Sequence, residues 1–312
     1  MLDPRAPQPP ALARAGIDRA GAERDEPGLL DRLRTDPATR VVAVHGDRSL
    51  IADSGTALRT VSAVQIRPDA AWALLGRGAE GEGVLLAASA DDAPDPLAEP
   101  VPDARWAALR VVGGELDAVE AGLFVEAAAL GRWLVDAPFC PACGMPTSLE
   151  TAGWSRRCTG CGRQHFPRTD PAVIVAVQSA DGDRLLLGQN ALWASRGMYS
   201  TFAGFVEAGE SLESTIGREV LEEAGVVIAE SRYRGSQAWP YPRSLMLGFH
   251  ATATPDSVAR ADGEEIVEVR WFERAELAAA LADPDGDGID FRLPGTASIA
   301  RRLIVDWVES AP

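Results

Sequence analysis

Residues 204–226 read GFVEAGESLESTIGREVLEEAGV, a glycine-containing loop followed by a helix with an acidic face. Residues three and four positions apart share one side of a helix, so Glu219, Glu222 and Glu223 are expected to project together. Carboxylates grouped in this way repel one another, which favours a role in binding hard divalent cations such as Mg²⁺ or Mn²⁺. Such ions can bridge a diphosphate and lower the pKa of a bound water. The stretch therefore predicts metal-assisted cleavage of a diphosphate.

Other positions in this stretch are predicted to hold the helix in place. Ser211 is a candidate N-cap and Gly225 a candidate C-terminal stop, which sets the helix at residues 212–224. Glu210 and Arg218 are expected to pair and to fix the preceding loop on the helix. Gly217 costs roughly 1 kcal/mol against alanine in a helix interior. Either close packing of a neighbour against Gly217 or mere tolerance of an unfavourable residue would explain a glycine at this position.

Apolar runs on both sides of the stretch predict an alternation of strands and helices. The predicted strands are residues 41–45, 59–66, 83–89, 171–177, 184–189, 198–206, 245–254 and 266–272, with further helices at 116–135 and 297–308. This succession predicts a mixed α/β fold of about two domains' length. Residues 1–28 are rich in proline, alanine and charge and are expected to form an irregular arm.

Charge and hydropathy limit the function classes that the chain can belong to. The 312 residues carry a net charge of −16. That balance argues against extensive, non-specific binding of duplex nucleic acid, which normally needs a basic surface. No apolar run approaches the ~20 residues of a membrane span, and no secretion signal is visible. The expected location is the cytoplasm.

All four cysteines lie between residues 140 and 161, in two CxxC pairs. The pairs are Cys140 with Cys143 and Cys158 with Cys161, each followed by glycine. Two such turns supply four thiolates for one tetrahedral zinc ion, and with no open position the zinc is predicted to be structural. A redox pair or two disulfides are the alternatives, which the spacing and a reducing compartment disfavour.

Two further motifs resemble ligand-binding loops. Gly76, Gly78 and Gly81 match a dinucleotide fingerprint, but a strand-like run follows them, so a hairpin turn is predicted. The run Asp283 to Gly288 resembles the start of a calcium loop. Pro294 stands where that loop needs its bidentate glutamate, so a solvated acidic loop is predicted.

The motifs together resemble a known enzyme family. The four-cysteine segment, FPRTDPAVIVAV (166–177), the acidic helix and SQAWPYPRSLMLGF (236–249) occur in the order found in the NADH pyrophosphatase, or NudC-type, subfamily of Nudix hydrolases. The resemblance covers roughly residues 130–312. It implies an α/β/α sandwich with a mixed sheet over 169–312, a zinc ribbon over 135–168 and an N-terminal α/β domain over 1–130. Ala238 departs from the usual proline, and Phe166 from a common tyrosine.

The resemblance also implies an activity and the residues that perform it. The implied reaction is hydrolysis of NAD(H) to nicotinamide mononucleotide and AMP, together with removal of NAD caps from RNA 5′ ends, by a homodimer. The implied catalytic residues are Glu223, Glu219 and Glu222. The implied Mg²⁺ or Mn²⁺ ligands are the Ala203 carbonyl, Glu219, Glu223 and Glu265, with Glu264 as the alternative to Glu265.

The resemblance assigns substrate contacts to aromatic residues and to the segment after the acidic helix. The implied set is Phe166, Phe205, Gln237, Ala238, Trp239, Pro240, Tyr241, Pro242, Arg243, Ser244 and Ala300. Flat rings suit flat bases, although Trp239 and Tyr241 also fit ordinary core packing. Two other functions stay open: hydrolysis of another nucleoside diphosphate derivative such as ADP-ribose, and nucleotide sensing without catalysis. The SQAWPYPRS block disfavours the first, and the complete set of glutamates disfavours the second.

Overall fold

The computed structural model describes residues 10–13, 17–53, 56–255, 257–283 and 289–310. The chain divides into two compact units. The N-terminal unit comprises Arg14–Thr169 together with Trp239–Arg243, and the C-terminal unit contains Asp170–Ala238 and Ser244–Pro312. The proposed acidic loop from Asp283 to Gly288 falls mostly on residues 284–288, outside the described residues.

The N-terminal unit is built on a five-stranded sheet with the order β3-β4-β1-β2-β5. Its elements are α1 (Leu29–Thr35), β1 (Arg40–His45), β2 (Arg48–Ala52), β3 (Ala71–Arg77), β4 (Gly83–Ser89), β5 (Ala104–Ala108), α2 (Leu109–Val112) and α3 (Ala118–Asp136). β1 runs parallel to β4, and the other neighbours are antiparallel. Apolar residues of α3 pack on one face of this sheet.

The glycine motif at residues 76–81 is a hairpin turn, as predicted. β3 and β4 pair antiparallel on either side of it, and the Gly78 N–H donates to the Glu82 carbonyl across the turn. The strand predicted over residues 59–66 is wrong. Only Val61 and Ile66 form isolated bridges, and Ala63–Gln65 is a 3₁₀ turn in which the Gln65 side chain accepts from the Ser62 N–H. This local side-chain hydrogen bond competes with strand pairing.

The cysteine segment forms a small antiparallel sheet in the N-terminal unit. Its strands are β6 (Thr147–Glu150), β7 (Ser155–Cys158) and β8 (Gln164–His165). The β6–β7 turn, Thr151–Gly153, takes left-handed backbone angles at all three residues. Gly153 is required there, because a β-carbon would lie 2.5 Å from the Ala73 side chain.

The C-terminal unit is an α/β/α sandwich, as expected from the resemblance. Its strands are β9 (Asp170–Gln178), β10 (Arg184–Asn190), β11 (Phe202–Phe205), β12 (Ile228–Trp239), β13 (Ser244–Ala253) and β14 (Ile266–Glu273), and its helices are α4 (Leu212–Ala224), α5 (Arg274–Ala282) and α6 (Ile299–Glu309). The sheet order is β12-β13-β9-β10-β14, with β11 paired to β9. β13 is parallel to β9, so the sheet is mixed.

Alternate residues of β9 face the two helical layers. Val173, Val175 and Val177 belong to the core beneath α4, whereas Ile174 and Ala176 belong to the core shared with α5 and α6. Side chains of a strand alternate between the two faces of its sheet, so a fully apolar run is expected where both faces are covered. The burial of residues 172–177 on both faces of the sheet follows from this position.

The predicted strands and helices of the C-terminal unit are confirmed apart from their ends, but the strand β12, the helix α5 and the 3₁₀ helix Ala191–Arg196 were not predicted. β12 carries several charged residues along an edge, and α5 is rich in alanine without a clear apolar period. No helix among the described residues is long and apolar enough to cross a membrane.

Candidate active site

The acidic helix is fixed at both ends by the residues expected to do so. The Ser211 hydroxyl accepts a hydrogen bond from the Ser214 N–H at 3.2 Å, and Gly225 adopts the left-handed conformation at φ 66°. α4 therefore spans residues 212–224, as the sequence predicts. Its buried side packs on the sheet through Ile216 and Val220, which leaves the glutamates along one border of the helix.

Arg218 ties the loop before α4 to the helix. Its guanidinium binds the Glu210 carboxylate at 2.7 and 2.9 Å and donates to the Phe205 carbonyl at 3.1 Å. It also lies 2.9 Å from Glu219 and 3.2 Å from Glu222. The hydrogen bonds from Arg218 are the largest cause that lowers the pKa of Glu210 to about 2. The predicted Glu210–Arg218 pair is confirmed, and it fixes the loop that follows Gly204.

Glu223 is an ionisable group in an almost fully buried position. Its side chain is 5% exposed, and its Oε2 has no hydrogen-bond partner among the described residues. Burial raises the pKa of Glu223 from 4.5 to about 8, and the charges of Glu265 and Glu219 add to that rise. The Ala203 N–H opposes it as a hydrogen-bond donor. An oxygen that is buried, that accepts no hydrogen bond and that lies near two other carboxylates is well suited to bind a cation.

Glu219 packs directly over Gly204. A β-carbon at Gly204 would lie 1.8 Å from the Glu219 carboxyl carbon, so only glycine leaves room for this carboxylate. Burial raises the pKa of Glu219 above its ordinary value, while the neighbouring Arg218 lowers it. Glu222, by contrast, is exposed and contacts Arg218.

An open cavity of about 390 Å³ lies beside these carboxylates in the C-terminal unit. It is lined by Ala172, Ala203, Gly204, Phe205, Glu207, Glu219, Ser244, Met246 and Glu265. Glu265 lines the cavity, and the Asn190 side chain donates to it at 3.3 Å. Glu264 is not among the lining residues. The geometry therefore favours Glu265 over Glu264 as the distal carboxylate.

The site fits one or more hard divalent cations. Carboxylate oxygens and a backbone carbonyl are the donors that Mg²⁺ and Mn²⁺ prefer, and the buried Oε2 of Glu223 would gain a positive partner. The residues placed to hold such ions are Glu219, Glu223, Glu265 and the carbonyl of Ala203, whose strand β11 pairs with Ile174 of β9.

The substrate residues implied by resemblance take different positions within the C-terminal unit. Phe205 and Ser244 line the cavity, and the Phe205 ring is 55% exposed. Gln237 is buried with its amide engaged: it donates to the Ala297 carbonyl and accepts from the Ile299 N–H, each at 2.9 Å. It therefore holds the start of α6 in this structure. Ala300 is 2% exposed and lies in the core of the same helix, outside the cavity lining.

The remaining implied substrate residues belong to other surroundings. Phe166 is 60% exposed in the N-terminal unit. In the same unit, the rings of Trp239 and Tyr241 lie 5.0 Å apart, and the Tyr241 hydroxyl accepts a hydrogen bond from the Arg110 N–H at 2.7 Å. Burial raises the pKa of Tyr241 to about 12. The members of this segment not yet described are Ala238, which is half-buried, Pro240, which is buried, and Pro242 and Arg243, which are exposed.

The four cysteines form a compact cluster. Their sulfur atoms all lie within 4.8 Å of one another, close to the ~3.8 Å separation set by tetrahedral Zn–S bonds of ~2.3 Å. The N–H groups of Cys161 and Gly160 lie 3.3 and 3.4 Å from the Cys158 sulfur, where they stabilise its thiolate. The cluster thus fits a zinc ion held by thiolates.

Four residues at the site were not predicted. Asn190 fixes Glu265, while Ala172, Glu207 and Met246 line the cavity. Glu207 lies within the decisive stretch and was a visible acidic candidate. Asn190 and Met246 carry no local pattern, because only the pairing of β10 and β13 into the sheet brings them to the site.

Comparisons with known proteins agree with this arrangement. The model of the NUDIX domain matches residues 168–291, and that of the NADH pyrophosphatase zinc ribbon domain matches residues 136–166. The chain is 39% identical over 310 residues to a protein named NAD-capped RNA hydrolase NudC from Mycobacterium tuberculosis, covering 96% of this chain and 94% of the relative. It is 41% identical over 204 residues to the protein of that name from Stutzerimonas stutzeri, covering 65% of this chain and 68% of the relative.

A more distant relative extends the comparison beyond bacteria. It is named NAD-capped RNA hydrolase NUDT12, from Macaca fascicularis, and is 36% identical over 206 residues, covering 64% of this chain and 44% of the relative. The match to the mycobacterial protein spans nearly the full length of both chains. The chain therefore belongs to the Nudix hydrolases, in the family of the NudC proteins with their four-cysteine zinc ribbon.

Proposed function

We propose that this protein hydrolyses the pyrophosphate bond of NAD(H), giving AMP and nicotinamide mononucleotide, and removes NAD caps from RNA 5′ ends. The observation that carries the proposal is a cluster of three carboxylates: Glu219 and Glu265 line the cavity, and the buried Glu223 lies near enough to both for their charges to raise its pKa. The names of the full-length relatives support the choice of substrate.

The proposed chemistry divides into roles for the chain's own groups. Bound Mg²⁺ or Mn²⁺ would offset charge on the diphosphate and lower the pKa of an attacking water. Glu219, Glu223, Glu265 and the Ala203 carbonyl are the proposed ligands. Glu223 is also proposed to accept the proton of the attacking water, a role that the resemblance implies and that its place beside Glu219 and Glu265 allows. Glu222 is proposed to assist from its exposed position beside Arg218.

The substrate is proposed to lie in the cavity of the C-terminal unit. Phe205 offers an exposed ring at the cavity, and Ser244 offers a hydroxyl. Phe166, Ala300 and residues 238–243 are kept as proposed contacts on resemblance. For Gln237 the proposed part is to position α6, because both ends of its amide are already bonded there.

Product analysis tests this proposal. The protein is incubated with Mg²⁺ or Mn²⁺ and with NADH, NAD⁺, ADP-ribose or NAD-capped RNA, and the products are separated. We expect AMP and reduced nicotinamide mononucleotide from NADH, AMP and nicotinamide mononucleotide from NAD⁺, and nicotinamide mononucleotide with 5′-monophosphate RNA from capped RNA. Glu223→Gln should lower kcat by at least about 1,000-fold, in line with the loss of a metal ligand and base.

A matched control accompanies the Glu223 variant. Glu213→Gln makes the same change at an exposed position of the same helix and should leave turnover within about twofold of the parent. Cleavage of ADP-ribose with NAD-containing substrates left intact would overturn the assignment of substrate. Full activity in Glu223→Gln would overturn the proposed catalytic cluster.

Assembly, location and domain limits remain proposals as well. We propose a cytoplasmic homodimer with domains at 1–130, 135–168 and 169–312, for which the family resemblance is the support. Light scattering on the purified protein measures the oligomer directly, and a mass equal to one chain would contradict the dimer.

A further inference from the structure

A short 3₁₀ helix, Ala191–Arg196, is fixed to the edge of the active site. We refer to these six residues as the Trp193 segment. The Ala191 N–H donates to the Glu265 carbonyl at 2.8 Å, and the Asn190 side chain both caps the segment and donates to the Glu265 carboxylate. Because Glu265 lines the cavity, the segment starts at the cavity's border.

The far end of the Trp193 segment is fixed too. Gly197 ends it in the left-handed conformation at φ 61°, and the Gly197 carbonyl accepts from the Arg292 N–H at 2.8 Å. The Tyr199 N–H then donates to the Arg292 carbonyl at 2.9 Å. A segment held at both ends loses little conformational freedom when a ligand binds to it.

The segment presents two apolar side chains and one cation to solvent. Leu192 is 81% exposed and Trp193 is 42% exposed. Arg196 is exposed, and no ion pair or side-chain hydrogen bond joins it to any residue in the described part of the chain. In a chain of net charge −16, an aromatic ring and an uncompensated guanidinium beside a diphosphate site form an unusual surface. Ring and cation together complement a single-stranded nucleic acid, which offers base faces and phosphates.

We propose that the Trp193 segment binds the RNA strand that follows an NAD cap. In this arrangement the Trp193 indole stacks on a base, Leu192 extends the apolar surface, and Arg196 contacts a backbone phosphate. The proposal rests on the proposed function, since it assumes that a capped RNA enters this cavity. It goes beyond that function by predicting that contacts outside the cavity make the enzyme discriminate between capped RNA and free NAD(H).

Binding by a non-cleaving protein tests the segment directly. Fluorescence anisotropy with labelled NAD-capped single-stranded RNA is measured on Glu223→Gln alone and combined with Trp193→Ala, Trp193→Phe or Arg196→Gln. We expect Trp193→Ala to weaken RNA binding about tenfold and Trp193→Phe to recover most of the loss, because phenylalanine keeps a stacking face. Arg196→Gln should reduce the dependence of log Kd on log salt concentration by about 0.7, as for one phosphate contact.

Turnover separates this proposal from the proposed function. In the otherwise unchanged protein, Trp193→Ala should lower kcat/KM for capped RNA about tenfold while kcat/KM for NADH changes less than twofold. Val258→Ala, an apolar residue 80% exposed elsewhere in the same unit, is the matched control and should alter neither.

Each contrary result has one meaning. If Trp193→Ala lowers kcat/KM equally for NADH and for capped RNA, Trp193 supports the cavity itself. If RNA affinity is unchanged, the segment does not bind RNA. Either result overturns the proposal. A change in oligomeric mass on Trp193→Ala without loss of RNA affinity would show a subunit contact, which also overturns it. Absence of NAD-cap cleavage by the parent protein would overturn the proposed function instead, and the anisotropy series would still decide whether the segment binds RNA.

Discussion

Gly204 shows how one residue without a side chain decides the position of a charged one. Its α-carbon faces the Glu219 carboxylate so closely that a β-carbon would overlap it. The sequence pattern identifies Gly204 as a fixed position but does not give the reason, since the contact joins a residue of β11 to a residue of α4 fifteen positions later. At Gly217, unlike at Gly204, a β-carbon would meet no side chain among the described residues. The close packing offered as one explanation is absent, because nothing described lies within 4 Å of a β-carbon there.

Gly204→Ala should therefore impair catalysis while the fold is kept. The added methyl displaces the end of a flexible side chain, and misplacing a catalytic group by about 1 Å can cost ~100-fold in rate. The measurement is kcat on NADH together with Tm. Gly217→Ala is the matched control, expected to keep kcat and to stabilise the protein by about 0.5–1 kcal/mol. Parent-like kcat in Gly204→Ala would contradict the contact.

At the scale of elements, prediction worked where the signals are local. α4 has the bounds that Ser211 and Gly225 indicate, because capping groups act within a few residues. β12 was missed because its register depends on β13 and its residues alternate poorly in polarity. The wrong strand at 59–66 has the composition of a strand, but the Ser62–Gln65 hydrogen bonds favour a turn.

α3 carries a buried charge that sequence periodicity does not reveal. Glu126 is 5% exposed within this helix, with Arg19 3.5 Å from one carboxylate oxygen and no partner among the described residues for the other. Burial raises the pKa of Glu126 from 4.5 to about 7, although Arg19 and Arg24 oppose the rise. Folding therefore favours the protonated acid, and stability is lost as pH increases from 4.5 through 7.

Glu126→Gln should remove this loss. Above about pH 7 the variant is expected to be more stable than the parent by about 3 kcal/mol at most, at ~1.4 kcal/mol per pKa unit, and the difference should vanish near pH 4.5. Urea unfolding at several pH values measures it. Glu120→Gln, a less buried acid on the same helix, should show a smaller effect. A stability difference that grows toward low pH would contradict the burial argument.

At the scale of the whole molecule, the order of motifs along the chain predicted more than any single motif. The acidic helix alone indicates metal-assisted diphosphate chemistry. The zinc ribbon before it and residues 236–249 after it narrow the assignment from the Nudix hydrolases in general to the NudC-type subfamily. The arrangement of the N-terminal unit was largely beyond prediction. Its sheet joins β1 to β4, strands that are far apart in sequence, and depends on long-range pairing that no local pattern encodes.

Zinc is expected to stabilise the N-terminal unit without taking part in catalysis. One zinc per chain should be found by elemental analysis, and Cys158→Ser should abolish it and lower Tm by roughly 10 °C or more, since structural zinc contributes several kcal/mol of folding free energy. Ser148→Ala, in the same small sheet, is the control and should retain zinc. Full thermal stability after zinc loss would contradict a structural ion.

The pairing of β9 has a consequence for the timescale on which the site can open. β9 is hydrogen-bonded to β10, β11 and β13, so its amides are released only when most of the C-terminal unit unfolds. In native-state hydrogen exchange, the amides of residues 172–177 should be among the slowest of that unit. Ala203 pairs with the middle of this strand, so the backbone carbonyl proposed as a metal ligand is attached to the part of the fold that fluctuates least. We therefore expect the Ala203 amide to exchange more slowly than the amides at the two ends of α4.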